Sequence, residues 1–232
     1  MPDITSYGPW PDWNHIDHVL LDMDGTLLNL GFDNDFFSNF LPSQYALENN
    51  VTEDAAREDL FKRYKDVEGT LQWFDIEYWG NELGLDVVAL TEQQAHKISV
   101  HPDAEEFLKY IQTLGKPAFL VTNAHHTTLS IKVKHTGIDQ YFEKMLCSSE
   151  VGFPKHHLNF WNHARREIRY NTSHTLFVDD SENVLLAAKK HGIRYLLHRS
   201  KPSTTEPSHP SEQFHSIESF YPLMYPRQYP CI

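Results

Sequence analysis

The sequence is poor in cysteine and in basic residues. Its 232 residues include two cysteines, Cys147 and Cys231, whose separation fits neither a disulfide framework nor a metal-binding motif, so Cys147 is expected to be free and buried. Lysine and arginine total 20 against 32 aspartates and glutamates, and the formal net charge is -12. An acidic surface repels nucleic-acid phosphates and anionic lipids, so neither a nucleic-acid polymer nor a membrane is an expected partner.

Apolar segments long enough to cross a bilayer are also missing. No run approaches the roughly 20 apolar residues that a membrane span needs, and residues 1–15 contain no signal-peptide core. The sequence therefore predicts a cytoplasmic protein. The fifteen histidines show neither HExxH nor zinc-finger spacing, so a histidine metal site is not expected.

The sequence does contain short apolar runs that alternate with helical patterns, and 40% of its residues are hydrophobic, which is enough for a sizeable core. Strands that alternate with helices form a parallel sheet with helices on both faces, so we predict an α/β fold with a doubly wound parallel sheet. After Lys201, six prolines predict a tail without regular secondary structure. The predicted strands are near residues 17–22, 118–121, 144–148, 175–178 and 192–197.

Residues 31–98 interrupt this alternation because they contain helical patterns without intervening strands. Four phenylalanines between Phe32 and Phe40 recur at helical spacing, and Thr52 is placed to cap the next helix. We therefore predict a core domain of residues 1–30 and 99–232 with an all-helical insertion of residues 31–98. The insertion is expected to have its own small core of Phe61, Tyr64, Trp73, Phe74, Tyr78, Trp79 and Leu83.

The first predicted strand ends in an acidic motif, Asp22-Met23-Asp24-Gly25-Thr26. Because side chains alternate along an extended chain, Asp22 and Asp24 leave the same side of the strand, about 7 Å apart, and Met23 points the other way. Gly25 permits the sharp turn that follows. Such a pair of carboxylates suits metal binding or a nucleophile with a neighbouring acid, and the alternative is a solvated turn.

Three further polar signals follow predicted strands, namely Thr122-Asn123, Lys155 and Asp179-Asp180. Parallel strands bring their carboxyl ends to one edge of the sheet, so these side chains are expected to lie near Asp22. Each also has a structural alternative. Thr122-Asn123 and Asp179-Asp180 are good helix caps, and Lys155 is compatible with an exposed loop.

In order, spacing and placement, these motifs resemble the haloacid dehalogenase superfamily of phosphohydrolases. The resemblance implies that Asp22 attacks phosphorus and carries the phosphoryl group, while Asp24 acts as general acid and base. The presence of Asp24 favours phosphate esters over haloacids, because the dehalogenases of this superfamily are expected to lack the second acid. The implied phosphate-binding residues are Thr122, Asn123 and Lys155. The implied cofactor is Mg²⁺, held by Asp22, the carbonyl of Asp24 and Asp180, with Asp179 as a ligand or as support.

Within that superfamily, the sequence is similar to a group of nucleotidases described as specific for GMP and IMP. The similar stretches lie in the core and in the insertion, at residues 20–34, 64–73, 78–86, 122–125, 134–137 and 152–155. The resemblance implies that the insertion is a cap over the site and that the substrate is a purine nucleoside 5'-monophosphate. Candidate contacts to the base, ribose or phosphate are Asn34, Lys65, Trp73 and His125.

Two alternatives stay open from the sequence. A sugar-phosphate phosphatase or a phosphomutase would use the same chemistry, although a small polar cap would be expected there in place of an aromatic one. A non-catalytic binding protein would keep the fold, although such a protein has no need for four charged residues in one cleft. A monomer and a homodimer are both compatible with the sequence.

Overall fold

The computed structural model describes residues 12–226, and the segments 1–11 and 227–232, which include Cys231, lie outside that range. The strands are β1 (His18–Leu21), β2 (Ala118–Thr122), β3 (Lys144–Cys147), β4 (Thr175–Asp179), β5 (Tyr195–Arg199) and β6 (His215–Ile217). They form one sheet in the order β3-β2-β1-β4-β5-β6, and every neighbouring pair is parallel. The predicted doubly wound parallel sheet is confirmed. Cys147 is buried and free, as expected.

Strand β1 is the central strand that positions the acidic motif. Leu21 is in register with Leu120 of β2 on one side and with Val178 of β4 on the other. The chain builds the sheet outward in opposite directions from β1 and β4, so a crevice opens beyond the carboxyl ends of these two strands. Asp22 follows β1 directly and Asp179 ends β4, which places both at that crevice.

Helices cover both faces of the sheet. Because side chains alternate along β1, Leu21 belongs to a buried cluster with Phe107 on one face, and Leu20 belongs to a second cluster with Trp161 on the other. The α-helices are α1 (Gly31–Asp35), α2 (Leu41–Asn49), α3 (Glu53–Val67), α4 (Ile76–Leu83), α5 (Val87–Gln94), α6 (Ala104–Thr113), α7 (His126–Thr136), α8 (Ser148–Val151), α9 (Leu158–Ile168), α10 (Glu182–His191) and α11 (Tyr221–Met224). No helix between residues 12 and 226 is both long and apolar enough to cross a membrane.

The C-terminal tail differs from the prediction of an irregular segment. Its residues 215–217 form β6, in which Leu197 of β5 is in register with His215, and Ile217 is buried. The prediction rested on the prolines of the tail. Residues 211–221 contain no proline, so the backbone N–H groups needed for strand pairing are present there. The tail therefore extends the sheet instead of only covering it.

The inserted segment, residues 31–98, consists of helices α1 to α5 with a π-helical stretch at Phe36–Phe40 and short 3₁₀ turns. Thr52 caps α3 as predicted, since its hydroxyl accepts a hydrogen bond from the amide of Ala55 at 3.3 Å. Tyr64 and Trp79 form the centre of the segment's core, with ring centroids 4.8 Å apart. The prediction for Phe61 was wrong because its side chain is 45% exposed.

The position of Phe61 follows from the helical repeat of α3. Ala56, Leu60 and Tyr64 are buried at intervals of four residues and form the stripe that faces the core. Phe61 lies one residue beyond Leu60, about 100° around the helix, and is therefore turned away from that stripe. Its ring still contacts Tyr64, with centroids 6.0 Å apart.

Two linkers join the inserted segment to the rest of the chain, residues 28–30 and residues 99–101. They run beside each other, since the amide of Asn29 donates to the carbonyl of Ser99 at 2.9 Å and the amide of His101 donates to Leu27 at 2.8 Å. Leu28 and Val100 form an antiparallel bridge between them. Both crossings into the inserted segment thus lie at one place beside the acidic motif.

Candidate active site

A cavity of about 780 Å³ lies between the carboxyl ends of the strands and the inserted segment. This volume is within the range of pockets that bind small molecules, roughly 300–1,000 Å³. Every strand-end residue singled out from the sequence lines it, namely Asp22, Asp24, Thr122, Asn123, Lys155, Asp179 and Asp180. The parallel sheet has therefore brought these distant positions together at one edge.

Lys155 forms the centre of a buried charge cluster at the base of the cavity. Its ammonium makes an ion pair with Asp22 and donates to Asp179 at 2.7 Å and to the carbonyl of Val121 at 3.1 Å. Trp161 holds the lysine's backbone, because the indole N–H donates to the Lys155 carbonyl at 2.6 Å. Lys155 is 2% exposed, so the alternative of a solvated loop lysine is wrong.

Burial dominates the electrostatics of this cluster. It raises the pKa of Asp22 to about 7, against the opposing effect of Lys155, with the neighbouring Asp179 adding to the rise. It also raises the pKa of Asp180 well above the usual value, and the negative charges of Asp22 and Asp179 act in the same direction. Burial acts to lower the pKa of Lys155, but Asp179 and Asp22 outweigh it and raise that pKa. Three carboxyl groups thus share one ammonium, and burial together with their mutual repulsion disfavours the charged forms of Asp22 and Asp180.

Three of these acids could hold a cation. The carboxylates of Asp22, Asp179 and Asp180 offer ligand oxygens that lie within 4.8 Å of one another. Asp179 is oriented by hydrogen bonds from Lys155 and from the amide of Ser181, the latter at 2.8 Å. No hydrogen bond reaches the Asp180 carboxylate from the described residues. Its oxygens are therefore available as ligands.

Asp24 is held by a residue that the sequence analysis did not single out. Lys132 of α7 is 1% exposed, and its ammonium lies 2.6 Å from Oδ1 of Asp24 and 2.6 Å from Oδ1 of Asp33. Burial raises the pKa of Asp33 to about 6, although Lys132 acts in the opposite direction. The available signal was weak, since Lys132 lies between the buried Ile131 and the partly buried Val133, and a lysine in that pattern usually faces solvent.

Thr122 and Asn123 shape the loop that presents Lys155. The Thr122 hydroxyl accepts from the amide of Ala124 at 3.0 Å and so closes the turn after β2. The N-cap of α7 is His125, so the alternative of Thr122-Asn123 as a helix cap is wrong. The side-chain oxygen of Asn123 accepts from the amide of Lys155 at 2.8 Å, and the hydroxyl of Ser148 donates to the Asn123 carbonyl at 2.6 Å. Asn123 therefore fixes the position of Lys155.

The four candidate specificity residues separate into two places. Asn34, Lys65 and Trp73 line the cavity on the side of the inserted segment, where Phe61 joins them. The side-chain amide of Asn34 donates to Glu206 at 3.0 Å, whereas the Lys65 ammonium makes no hydrogen bond or ion pair within residues 12–226. His125 is not part of the cavity lining.

His125 lies instead at a junction between α7 and the inserted segment. It forms a group of possible metal ligands with His126 and Glu77, and the Glu77 carboxylate accepts from the hydroxyl of Thr127 at 2.5 Å. His126 begins α7 and Glu77 lies in the first turn of α4. The positive ends of two helix dipoles meet there, which favours the carboxylate and disfavours a cation.

The fold and the residues at this crevice place the chain in a class of hydrolytic enzymes. Residues 16–192 match the family of haloacid dehalogenase-like hydrolases, and the chain belongs to that family. A similar protein is the GMP/IMP nucleotidase YrfG of Escherichia coli strain K12, which is 38% identical over 192 residues, or 83% of this chain and 86% of that protein. Together, the family and this relative identify the chain as a phosphatase.

More distant similarities are found in a second curated protein and in a solved structure. The bifunctional riboflavin kinase/FMN phosphatase of Arabidopsis thaliana is 23% identical over 190 residues, which cover 81% of this chain and 49% of that protein. Among solved structures, the haloacid dehalogenase-type phosphatase of Thermococcus onnurineus has a TM-score of 0.77 at 21% identity, and the alignment covers 90% of this chain and 96% of that one. This second likeness supports the fold over nine-tenths of the chain.

Proposed function

We propose that this protein is a 5'-nucleotidase that hydrolyses the purine nucleoside monophosphates GMP and IMP. The observation that carries the proposal is the buried Asp22 carboxylate, which pairs with Lys155 at the base of a cavity large enough for a nucleotide. The 38% identity to a GMP/IMP nucleotidase supports the choice of a purine substrate. The geometry of the site and the sequence similarity to a known nucleotidase thus both support the proposal.

The proposed chemistry proceeds in two displacements on phosphorus. Asp22 attacks phosphorus, so that a bond to its carboxylate oxygen forms while the bond to the ester oxygen breaks. Asp24 donates a proton to the leaving alkoxide, which departs as the nucleoside. Asp24 then takes a proton from the water that attacks the aspartyl-phosphate, and this step releases inorganic phosphate and restores Asp22.

The phosphoryl oxygens need positive charge and hydrogen-bond donors throughout both steps. We assign these contacts to Lys155 and to the Thr122 hydroxyl, both of which line the cavity. Asn123 acts through its hydrogen bond to the backbone of Lys155, which keeps that loop in place. The pairing of Lys155 with Asp22 and Asp179 supports this assignment, because the ammonium lies next to the proposed nucleophile.

The donor set fits a magnesium ion. Asp22, Asp179 and Asp180 supply the carboxylate oxygens that Mg²⁺ prefers. Burial and the neighbouring carboxylates raise the pKa of Asp22 and of Asp180, and a cation bound between these groups would favour their charged forms. We propose that these residues and the carbonyl of Asp24 hold the ion, with Asp179 a direct ligand or a support. The bound ion would supply positive charge for the phosphoryl oxygens.

We further propose that residues 31–98 act as a cap that excludes water and selects the leaving group. Trp73 and the exposed Phe61 give the cavity aromatic surfaces on which a purine can stack, and Asn34 and Lys65 give it polar groups for the base edge or the ribose. This aromatic lining argues against a sugar-phosphate substrate, for which hydrogen-bonding side chains would be expected instead.

Phosphate release from a panel of esters tests the proposal. The panel contains GMP, IMP, AMP, pyrimidine nucleoside monophosphates and sugar phosphates, each measured with and without Mg²⁺. We expect GMP and IMP to be hydrolysed with the highest kcat/KM, and we expect chelation of Mg²⁺ to stop the reaction. Equal use of all esters would refute the purine assignment while leaving the aspartate chemistry intact.

The nucleophile is tested by Asp22→Asn, which should reduce phosphate release by at least about 10⁴-fold because no covalent intermediate can form. Asp17→Asn is the matched control. Asp17 precedes the same strand but is exposed and pairs with His174 at the opposite end of β1. Activity that survives in Asp22→Asn, in protein whose circular dichroism equals that of the native chain, would refute the nucleophile assignment.

A further inference from the structure

We propose that Lys132 is a positioning residue that directs the Asp24 carboxylate toward the leaving oxygen and that is itself anchored by Asp33 of the inserted segment. The inference rests on the proposed function, because Asp24 is the acid of that reaction. Lys132 belongs to α7, Asp24 to the loop after β1, and Asp33 to α1. Three separate parts of the chain therefore meet at one ammonium group.

The geometry leaves one oxygen of Asp24 free for chemistry. Lys132 contacts Oδ1 of Asp24 at 2.6 Å, and among residues 12–226 no donor reaches the other carboxylate oxygen, Oδ2. Asp24 lines the cavity, whereas Lys132 does not. Lys132 thus contacts Asp24 from the side away from the cavity and cannot reach a bound ester. This is the position expected of a residue that orients the acid.

The burial of the Lys132 ammonium carries a desolvation cost that its contacts have to offset. A lysine ammonium loses its hydration when its side chain is 1% exposed, and only opposite charges at short distance offset that loss. Lys132 has two such charges, and the face of Phe32 lies 5.6 Å from its nitrogen. An apolar side chain would fill the same space without that cost, but Asp24 and Asp33 would then face each other without a cation.

Asp33 gives the arrangement its link to the inserted segment. Its carboxylate accepts a hydrogen bond from the Lys132 ammonium at 2.6 Å, in addition to the one that the ammonium donates to Asp24. Since α1 follows directly after the first linker, a displacement of the inserted segment would pull Asp33 away from Lys132. The acid would then lose part of the support that fixes its direction.

The test compares two esters that differ in their need for an acid. A nucleoside or other alkyl phosphate expels a strongly basic alkoxide, whereas p-nitrophenyl phosphate expels a weakly basic phenolate that leaves without protonation. The value of kcat/KM reports the steps through formation of the aspartyl-phosphate, and the ratio of the two kcat/KM values does not depend on the fraction of protein that is folded. We use the alkyl phosphate that the native protein hydrolyses best.

In Lys132→Met we expect the ratio of alkyl to p-nitrophenyl kcat/KM to fall about 10- to 100-fold, a part of the roughly 10²- to 10⁴-fold that a positioned acid contributes. Asp33→Asn, which keeps Lys132 on Asp24, is expected to lower the ratio less. Lys134→Met on the exposed side of the same helix is the matched control and should leave the ratio unchanged.

An unchanged ratio in Lys132→Met would overturn the proposal, whether both esters are hydrolysed as in the native protein or both lose activity equally, because a merely structural residue affects them alike. An unchanged ratio in Asp33→Asn would overturn the anchoring role of Asp33. If the native protein releases no phosphate from any ester, the proposed function itself fails, and this outcome is distinct from a native ratio that the variants do not alter.

Discussion

At the scale of single residues, the acidic motif depends on a glycine that lies against the carboxylate of Asp180, the residue after β4. Gly25 has φ +81°, and a Cβ atom there would lie 2.7 Å from Cγ of Asp180 and 3.0 Å from Cβ of Pro202. Real Cβ contacts are longer than 3.0 Å, so Asp180 or the loop would have to move. Gly25 therefore serves both the turn and the close approach of the acids.

We predict that Gly25→Ala lowers phosphatase kcat/KM by about 100-fold, because a shift of about 1 Å in a catalytic group has an effect of that order. Gly84→Ala is a matched control, since Gly84 also has positive φ, +65°, but a Cβ atom there would meet nothing within 4 Å. Both variants bear the backbone strain of about 1–2 kcal/mol, which urea unfolding measures. Similar activities of the two variants would contradict the prediction.

At the scale of secondary-structure elements, one buried ion pair joins α6, β5 and the segment before α11. Arg199 donates to both oxygens of Asp103, at 2.9 and 3.0 Å, and the backbone amide of Phe220 also donates to Asp103. The guanidinium lies 4.8 Å from the Phe220 ring centroid, and that ring stacks on Phe107 at 4.3 Å. The pair thus fastens the C-terminal segment to the sheet.

This pair predicts a pH-dependent stability. Burial acts to raise the pKa of Asp103, but Arg199 outweighs it and holds that pKa below its usual value. A carboxyl group with a lowered pKa in the folded state stabilises the fold fully above its unfolded pKa of about 3.9, and the stabilisation is lost as the pH falls through the folded pKa. The contribution is therefore complete at neutral pH.

We expect Asp103→Asn to lower the free energy of unfolding by about 3 kcal/mol at pH 7, because it leaves Arg199 buried without a counter-charge. The difference from the native protein should shrink below about pH 3.9, which urea unfolding at pH 7 and pH 3 would measure. Glu105→Gln on the same helix removes a surface pair with Lys109 and should cost at most about 1 kcal/mol. A difference that stays constant with pH would contradict this account of Asp103.

At the scale of the whole molecule, part of the C-terminal tail lies across the linkers of the inserted segment. We term residues 202–206 the strap. The carbonyl of Pro202 accepts from the amide of Leu30 at 2.9 Å, and Thr204 accepts from the side-chain amide of Asn29 at 2.7 Å. Glu206 reaches Asn34 of α1 at 3.0 Å. The strap therefore binds the linkers and the start of the inserted segment.

We predict that the double variant Thr204→Ala/Glu206→Ala speeds hydrogen exchange at the amides of Leu30 and His101 by about fivefold. The loss of roughly 1 kcal/mol of hydrogen-bond free energy gives a factor of this size. Exchange in β1 should be unchanged. Thr205→Ala is the control, since the Thr205 hydroxyl contacts only Ser203 within the strap. Faster exchange throughout β1 would mean general destabilisation and would contradict a local role.

The sequence sufficed for five of the six strands and for most of the polar residues that line the cavity between the strand ends and the inserted segment. The β-strands are short apolar runs buried on both faces, and the carboxyl ends of parallel strands lie at one edge, so Asp22, Thr122, Lys155 and Asp179 could be placed together without coordinates. The strands can be found from the local pattern of apolar residues, and the way they assemble follows from the general architecture of parallel sheets. Helical spacing without intervening strands predicted helices in residues 31–98, and α1 to α5 lie in that range.

The tertiary structure alone decided which side chains face the cavity and which hold others in place. Lys132, Asp33 and the strap were not foreseen, because their partners are more than 90 residues away along the chain and no short pattern records such a contact. Phe61 was wrongly assigned to the core. Helical spacing predicts that α3 has an apolar stripe, but it does not fix which residues at the edge of that stripe face the core. The polar residues at the strand ends could be predicted, because the local pattern gives the strands and the parallel sheet brings their ends together. The orientation of side chains such as Lys132 and Phe61 could not, because it depends on packing between segments that are distant in the sequence.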